Sequence, residues 1–333
     1  MHTAQEGVTR MSGSLSDQLT RLSLANLIIA GVNRSATTSL FTYLSDHPDV
    51  CPSTIKETDY FMPVLEGSAL EPIETYASYF KGNPNTRYRM EASPRYIFGG
   101  AKIAEKIYEY LGPIRIIFVL RDPITRMVSY FHQRKRSGEL PVNMTVDEYS
   151  QRALKELPAV LAVNNTKPID VYRESIYTRG LAQGFYLDYL KGWYQVFPTT
   201  IQISFFEHMR QDSRAVVEEV CRWLDLDPSV YKSVEFTQEN RTVKHRNAAL
   251  FNIASRLNDK FEPFWRKHKN VKRWIRDVYL RLNEVRSGEA PLSPAVRAEL
   301  ERAYAHRNQE LWEMLCQQGY RDLPVWLSRS PGA

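Results

Sequence analysis

The segment from Ala25 to Leu44 constrains the fold more than any other. Ala25–Gly31 (ANLIIAG) is a short apolar run that ends in glycine, as a strand buried on both faces does. From Thr37 the spacing changes to that of a helix, with Leu40 and Leu44 four residues apart and Phe41 and Tyr43 beside them. His47-Pro48 ends it, because the residue before a proline is pushed out of helical geometry. A buried strand running through a five-residue loop into a helix is the start of a βαβ unit and predicts a parallel sheet.

The same alternation recurs. Arg87–Glu91 is expected as a short strand, and Lys102–Leu111 as an amphipathic helix with Ile103, Ile107 and Leu111 on one face. Ile114–Leu120 (IRIIFVL) is a β-branched run of the doubly buried kind. Asp122-Pro123 then starts a helix, with Asp as N-cap and Pro in the first turn. Leu140–Lys167 reads as an irregular excursion and Tyr177–Phe197 as an aromatic-rich helix. Thr200–Phe206 reads as a further strand, and Ser213–Leu226 and Ser293–Gln318 as helices. The expected fold is α/β: a P-loop-like three-layer arrangement with a central parallel sheet flanked by helices and a helical C-terminal extension. The 333 residues divide into a flexible tail over 1–22 and one domain over 23–333, its C-terminal helical part beginning near 248.

The loop after the first strand is Gly31-Val32-Asn33-Arg34-Ser35-Ala36-Thr37-Thr38. Free N–H groups at a helix start, a fixed charge on Arg34 and hydroxyls on Thr37 and Thr38 make an anion cradle. The Walker A pattern fails here, because Ala36 stands where its second glycine belongs and Thr37 where its lysine belongs. Without that lysine and a Mg²⁺ carboxylate, ordinary ATP or GTP hydrolysis is not expected. The plain alternative is a strand-to-helix turn capped by Ser35. A second anion site follows the Ile114–Leu120 run, where Arg121 precedes the helix and Ser129 lies two turns into it, with Arg126 between them. Two such sites at strand C-terminal ends describe a nucleotide phosphorylated at both ends of its ribose.

Four segments in this order resemble the sulfotransferases that use 3′-phosphoadenosine-5′-phosphosulfate (PAPS), above all the carbohydrate branch typified by heparan sulfate sulfotransferases and their bacterial relatives. GVNRSATTSL (Gly31–Leu40) is similar to the 5′-phosphosulfate loop, and HPDV with KETDYF (His47–Val50, Lys56–Phe61) to the stretch bearing the catalytic acid. EASPRY (Glu91–Tyr96) is similar to the E-x-[ST]-P-x-Y segment, and IIFVLRDPITRMVSYF (Ile116–Phe131) to the 3′-phosphate strand and helix. A looser match runs through Tyr177–Phe206 and the following helix.

The resemblance implies that Arg34, Ser35, Ala36, Thr37, Thr38 and Ser39 form the 5′-phosphosulfate loop, and that Arg121 and Ser129 hold the 3′-phosphate. It makes Glu57 the general base and brings Lys244 and Arg246, within RTVKHRN (Arg241–Asn247), over the nucleotide. The implied reaction moves a sulfuryl group from PAPS to an acceptor hydroxyl of a glycan, glycolipid or small molecule, or to an amine, with no metal. His132 and His245 are alternative bases, and Glu57 would otherwise be a surface residue paired with Lys56. Three positions depart from the patterns it resembles: Arg34 stands where the heparan-type loop usually has a lysine, and Asp59 and Ala92 stand where the heparan 3-O-type enzymes have a histidine and a lysine, the last two counting against a heparan-like acceptor.

Composition sets the remaining bounds. The net charge of +6 favours anionic partners, and lysine and arginine outnumber Asp259, Glu262 and Asp277 between Arg241 and Arg281. That segment is expected to be a solvated face, an anion-facing wall or a peripheral membrane contact. A nucleic-acid partner is not expected, since no aromatic recognition motif accompanies the charge. The rival classes are a P-loop-like nucleotide or small-molecule kinase and a basic module that binds nucleic acid or membrane without catalysis. No apolar run reaches the roughly 18 residues of a membrane helix. The polar first twenty residues lack a signal-peptide core, and Cys51, Cys221 and Cys316 are isolated. A cytoplasmic setting is expected. Trp193, Trp223 and Trp265 are expected to pack in the core.

Overall fold

The computed structural model describes residues 23–82, 85–163, 170–171, 174–234, 236 and 291–327. Lys244, Arg246, His245, Trp265 and the basic segment 241–281 lie outside the described residues.

Five parallel strands form the sheet in the order β2-β3-β1-β4-β5: β1 Leu27–Gly31, β2 Val50–Pro52, β3 Tyr88–Ala92, β4 Arg115–Leu120 and β5 Ile201–Phe205. The first loop therefore leaves the middle of the sheet. The chain runs from β1 to the far edge at β2, returns through β3, and crosses β1 to reach β4. Successive residues of a strand point to opposite faces, and both faces here are covered. Ile28 and Ala30 of β1, with Ile116, Phe118 and Leu120 of β4, enter one core. Leu27 and Ile29, with Ile117 and Val119, enter the other. This double burial is why both strands read as unbroken apolar runs.

On the first face lie α3 (Gly100–Leu111) and α7 (Tyr186–Val196). They cross closely at Gly192, where an added Cβ would collide with the backbone of Ala101. Trp193 fills the space beneath, edge-on to Phe118 and donating its indole N–H to Ile97 O at 3.1 Å, so it is a core residue as expected. On the other face lie α1 (Thr37–Leu44) and α9 (Ser213–Trp223), contributing Leu40, Leu44, Val217 and Val220.

Helix α4 (Pro123–Arg136) begins as expected, Asp122 accepting from the Ile124 N–H. Its Arg126 is fully buried and donates to Gly180 O and, at 3.1 Å, to Gln183 Oε1. Those partners belong to α6 (Ile176–Ala182) and the turn after it. The reading of Tyr177–Phe197 as one helix is corrected: Gln183–Phe185 breaks it, and at Gly184 an added Cβ would stand 2.7 Å from Pro123 Cβ. The reading of Leu140–Lys167 as irregular is also corrected, because Val146–Val163 is a helix, α5. Pro158 and the charged face concealed its apolar stripe of Val146, Tyr149, Ala153 and Leu157. Strand β2 and the short α2 (Ile73–Ala77) carried no readable period. After α8 (Phe206–Gln211), the C-terminal helix α10 (Pro294–Gln317) braces this side, with Tyr304 Oη donating to Leu181 O at 2.7 Å. Tyr320 beyond it accepts the Ile203 N–H of edge strand β5 at 2.7 Å. No helix among the described residues is long and apolar enough to cross a membrane.

Candidate active site

The C-terminal ends of β1, β3 and β4 meet at one edge of the sheet, and the two anion loops converge there. Packing fixes where the first loop starts: a Cβ on Gly31 would stand 2.9 Å from both Ile97 Cβ and Phe118 Cδ1. Arg34 and Ala36 adopt φ of 71° and 62°. This left-handed backbone costs a non-glycine residue about 1 kcal/mol, which ordered loops tolerate where function demands it. Ala36, not Ser35, is the N-cap of α1, and no side chain caps the helix. The plain turn capped by Ser35 is thereby corrected. Ser35 is fully buried and, among the described residues, its hydroxyl has no hydrogen-bond partner, nor does the buried Asn33 Oδ1. Buried polar atoms are rarely left unpaired unless something else supplies the partner. Thr37 and Ser39 are buried on the first turn of α1 and Thr38 is half-buried.

The second loop joins the first. Arg34 Nε donates to Ser129 Oγ of α4 at 3.0 Å, and Arg121 Nη1 donates to the Arg34 carbonyl at 2.8 Å. Arg121 is further held by Thr125 Oγ1 at 3.1 Å from its Nε and lies 4.1 Å over the Phe206 ring. Its own carbonyl accepts from Tyr186 Oη at 2.8 Å. The two regions, separate in sequence, are joined into one basic cluster. Burial lowers the Arg34 guanidinium to about 10, helped by the like charges of Arg136, Arg121, Arg126 and Arg134. Burial also lowers Arg121. At about 10, Arg34 remains a cation at neutral pH. Gathering like charges where they are poorly solvated is unfavourable without an anion nearby, so the chemistry of the cluster suits one.

Glu57 reaches the same edge by another route. Its N–H donates to the carbonyl of Ala92, the last residue of β3, at 2.8 Å. Because β3 adjoins β1, the 57–61 segment lies beside the first loop. The Glu57 carboxylate is half exposed and 2.6 Å from Lys56 Nζ, so the lysine pair weighed from sequence exists in the structure. Lys56 is itself largely buried. Asp59 pairs with Arg95 at 2.6 Å. His132 lies on α4 with its ring tilted against that of Phe131 at 5.1 Å between centroids.

Behind this segment sits a residue that sequence reading passed over as a catalytic-site element. Glu91 is completely buried. It accepts from Thr58 Oγ1 and, at 3.3 Å, from Ser93 Oγ. Burial raises its carboxyl to about 7, against the pull of the hydrogen bonds from Thr58 and Ser93 and with a smaller push from Asp59. The signal was available, since a glutamate within an apolar strand is costly unless it is partnered.

Comparison with known proteins places these features in context. The family model described as a sulfotransferase domain matches residues 24–284. The bifunctional heparan sulfate N-deacetylase/N-sulfotransferase 4 of Mus musculus is 24% identical over 213 residues, which is 62% of this chain and 23% of that protein. The membrane-associated sulfotransferase kil1 of Dictyostelium discoideum is 33% identical over 114 residues, 33% of this chain and 23% of that protein. The chain thus spans about a quarter of the length of these curated relatives. Among solved structures, a sulfotransferase from Alicyclobacillus acidocaldarius superposes with a TM-score of 0.61 at 20% identity, covering 92% of this chain and 99% of that one. That likeness concerns the fold.

Proposed function

This chain belongs to the sulfotransferase-domain family, and from that premise we propose that it transfers a sulfuryl group from PAPS to an acceptor hydroxyl with Glu57 as general base. The observation that carries the proposal is the joined basic cluster: Arg34 on Ser129, Arg121 on the Arg34 carbonyl, and in the same loop a buried Ser35 hydroxyl that is unpartnered among the described residues. This chemistry fits an adenosine phosphorylated at two positions better than a single phosphate.

PAPS when bound supplies the activated sulfuryl group. The residues then divide the work. Arg34, Ser35, Thr37, Thr38, Ser39 and the N–H of Ala36 hold the 5′-phosphosulfate end, and Arg121 with Ser129 holds the 3′-phosphate. Lys244 and Arg246 are assigned to the nucleotide by resemblance alone. Glu57 takes the proton from the acceptor hydroxyl as its oxygen bonds to sulfur, and the bond from sulfur to the 5′-phosphate oxygen breaks. Arg34 and the loop N–H groups offset the negative charge that grows on that leaving oxygen. Lys56 Nζ, 2.6 Å from the Glu57 carboxylate, holds that side chain at the site.

The acceptor belongs to the carbohydrates or small molecules on which the family acts. A hydroxyl on a glycan, glycolipid or natural product is the first reading. The N-sulfotransferase activity in the name of the mouse relative supports an amine as the second. A cytoplasmic setting remains part of the proposal.

Isothermal titration with adenosine 3′,5′-bisphosphate and with ATP tests the donor. Tighter binding of the bisphosphate is expected, and tighter binding of ATP would return the chain to the kinase reading. A screen of labelled PAPS against cell-extract acceptors then identifies the product. Glu57→Ala should abolish most turnover while leaving nucleotide binding nearly intact, and normal turnover by this variant would remove Glu57 from its role.

A further inference from the structure

The 57–61 segment has an unusual way of holding its shape. Glu57 and Asp59 both lie at positive φ, 60° and 49°. Neither is glycine, so each residue adds about 1 kcal/mol of backbone cost that outside contacts must offset. Those contacts come almost wholly from EASPRY. The Glu57 N–H donates to Ala92 O at 2.8 Å and the Asp59 N–H to Ser93 Oγ at 3.1 Å. The Phe61 N–H donates to Tyr96 Oη at 3.2 Å, and the Arg95 guanidinium holds the Asp59 carboxylate at 2.6 Å. One link remains, the side chain of Thr58, which sits between the two strained residues. Its hydroxyl donates to Glu91 Oε2, lies 3.5 Å from Tyr96 Oη and accepts weakly from the Tyr60 N–H at 3.5 Å. Glu91 also accepts from Ser93 Oγ at 3.3 Å, and Ser93 is the acceptor for Asp59. One buried carboxyl therefore orients both hydroxyls that clamp the segment.

We infer that Glu91 is a positioning residue: through Thr58 and Ser93 it locks the strained 57–61 backbone and so fixes the direction in which the Glu57 carboxylate points. The inference rests on the reading of Glu57 as general base, but the lock itself is testable without it. A carboxyl suits the task because its Oε2 accepts two hydroxyl donors at once, in either protonation state. The ionisable groups facing it are Tyr76 from α2, Tyr96 from the turn after β3, and Asp59 from the held segment, whose charge Arg95 offsets. Two motifs far apart in sequence thus form one device. KETDYF carries the base, and EASPRY carries its mount.

The test is hydrogen–deuterium exchange on the full chain, with adenosine 3′,5′-bisphosphate titrated in parallel. Glu91→Leu fills the space without an acceptor, Thr58→Val removes the donor at nearly constant volume, and Glu91→Gln retains an acceptor oxygen. Glu91→Leu and Thr58→Val should each speed exchange across residues 57–61 at least ten-fold, the double variant no further, and Glu91→Gln should restore slow exchange. Bisphosphate affinity should change less than two-fold in all of them. Unchanged exchange in Thr58→Val overturns the inference. So does acceleration that Glu91→Gln fails to rescue, or that spreads through β1 and β4. Should Glu91→Leu not fold, Thr58→Val and Glu91→Gln decide the matter alone. If the lock is found but Glu57→Ala turns over normally, the base assignment fails and the lock stands.

Discussion

Glu91→Gln should change how stability depends on pH, and the size of the change follows from burial. The carboxyl rises from an ordinary 4.5 to about 7 in the folded protein. Between those values the folded chain keeps a proton that the unfolded chain has shed. Folding is therefore favoured below pH 4.5 and loses that contribution as pH rises through 7. Each pK unit corresponds to about 1.4 kcal/mol, so the loss by pH 8 is about 3 kcal/mol. That is a large part of the 5–15 kcal/mol typical of a domain. Glutamine mimics the protonated carboxyl, keeps its volume and does not titrate. Urea denaturation of both proteins at pH 5, 6, 7 and 8 reads the difference directly. The gap between variant and wild type should grow with pH in favour of Glu91→Gln, reaching between about 2 and 3 kcal/mol at pH 8. Parallel pH dependences within about 0.5 kcal/mol would refute the reasoning, because a carboxyl that titrates normally cannot separate the two curves.

Other perturbations probe the rest of the pocket. Gly31→Ala places a methyl 2.9 Å from Ile97 Cβ and Phe118 Cδ1; overpacking of this kind costs about 1–3 kcal/mol, read as a lower midpoint in thermal denaturation together with weaker bisphosphate binding. Arg121→Ala removes the hold on the Arg34 carbonyl and should weaken bisphosphate binding at least ten-fold by calorimetry, with a far smaller effect on the melting temperature. Ser129→Ala frees Arg34 Nε from its 3.0 Å partner and should weaken the same binding about three- to ten-fold, the range of a single lost hydrogen bond. Asp122→Ala removes the acceptor for the Ile124 N–H and should cost about 1 kcal/mol of stability by urea titration.

How much was legible in the sequence depended on what each residue type can tolerate. The runs ending at Gly31 and Leu120 were readable because a strand buried on both faces must be apolar at every position. The start of α4 was readable because Asp122 and Pro123 are chemically suited to few other places. Helix α5 was not, since Pro158 interrupts a pattern that its packing against α6 nonetheless sustains. The break at Gly184 was equally hidden, because the cause is the approach of Pro123 and Tyr304, both remote in sequence. Arg34, Ser35, Thr37, Arg121 and Ser129 were each nameable as anion-binding types at strand ends.

The Gly31 loop shows where local chemistry stops. By itself the sequence determined a strand, a tight loop and a helix, and it excluded the Walker lysine, because those properties reside in neighbouring residues. Only the tertiary structure decided that Arg34 meets Ser129, that Ala36 rather than Ser35 begins the helix, and that Ser35 is buried without a partner among the described residues. It also decided that Glu91, named in the sequence only as part of EASPRY and given no role, accepts from Thr58 and Ser93. The physical reason is the sheet order. Placing β1 between β3 and β4 brings together residues that are 30 to 95 positions apart, and the strength of a buried charge or hydrogen bond depends on those neighbours rather than on the chain around it.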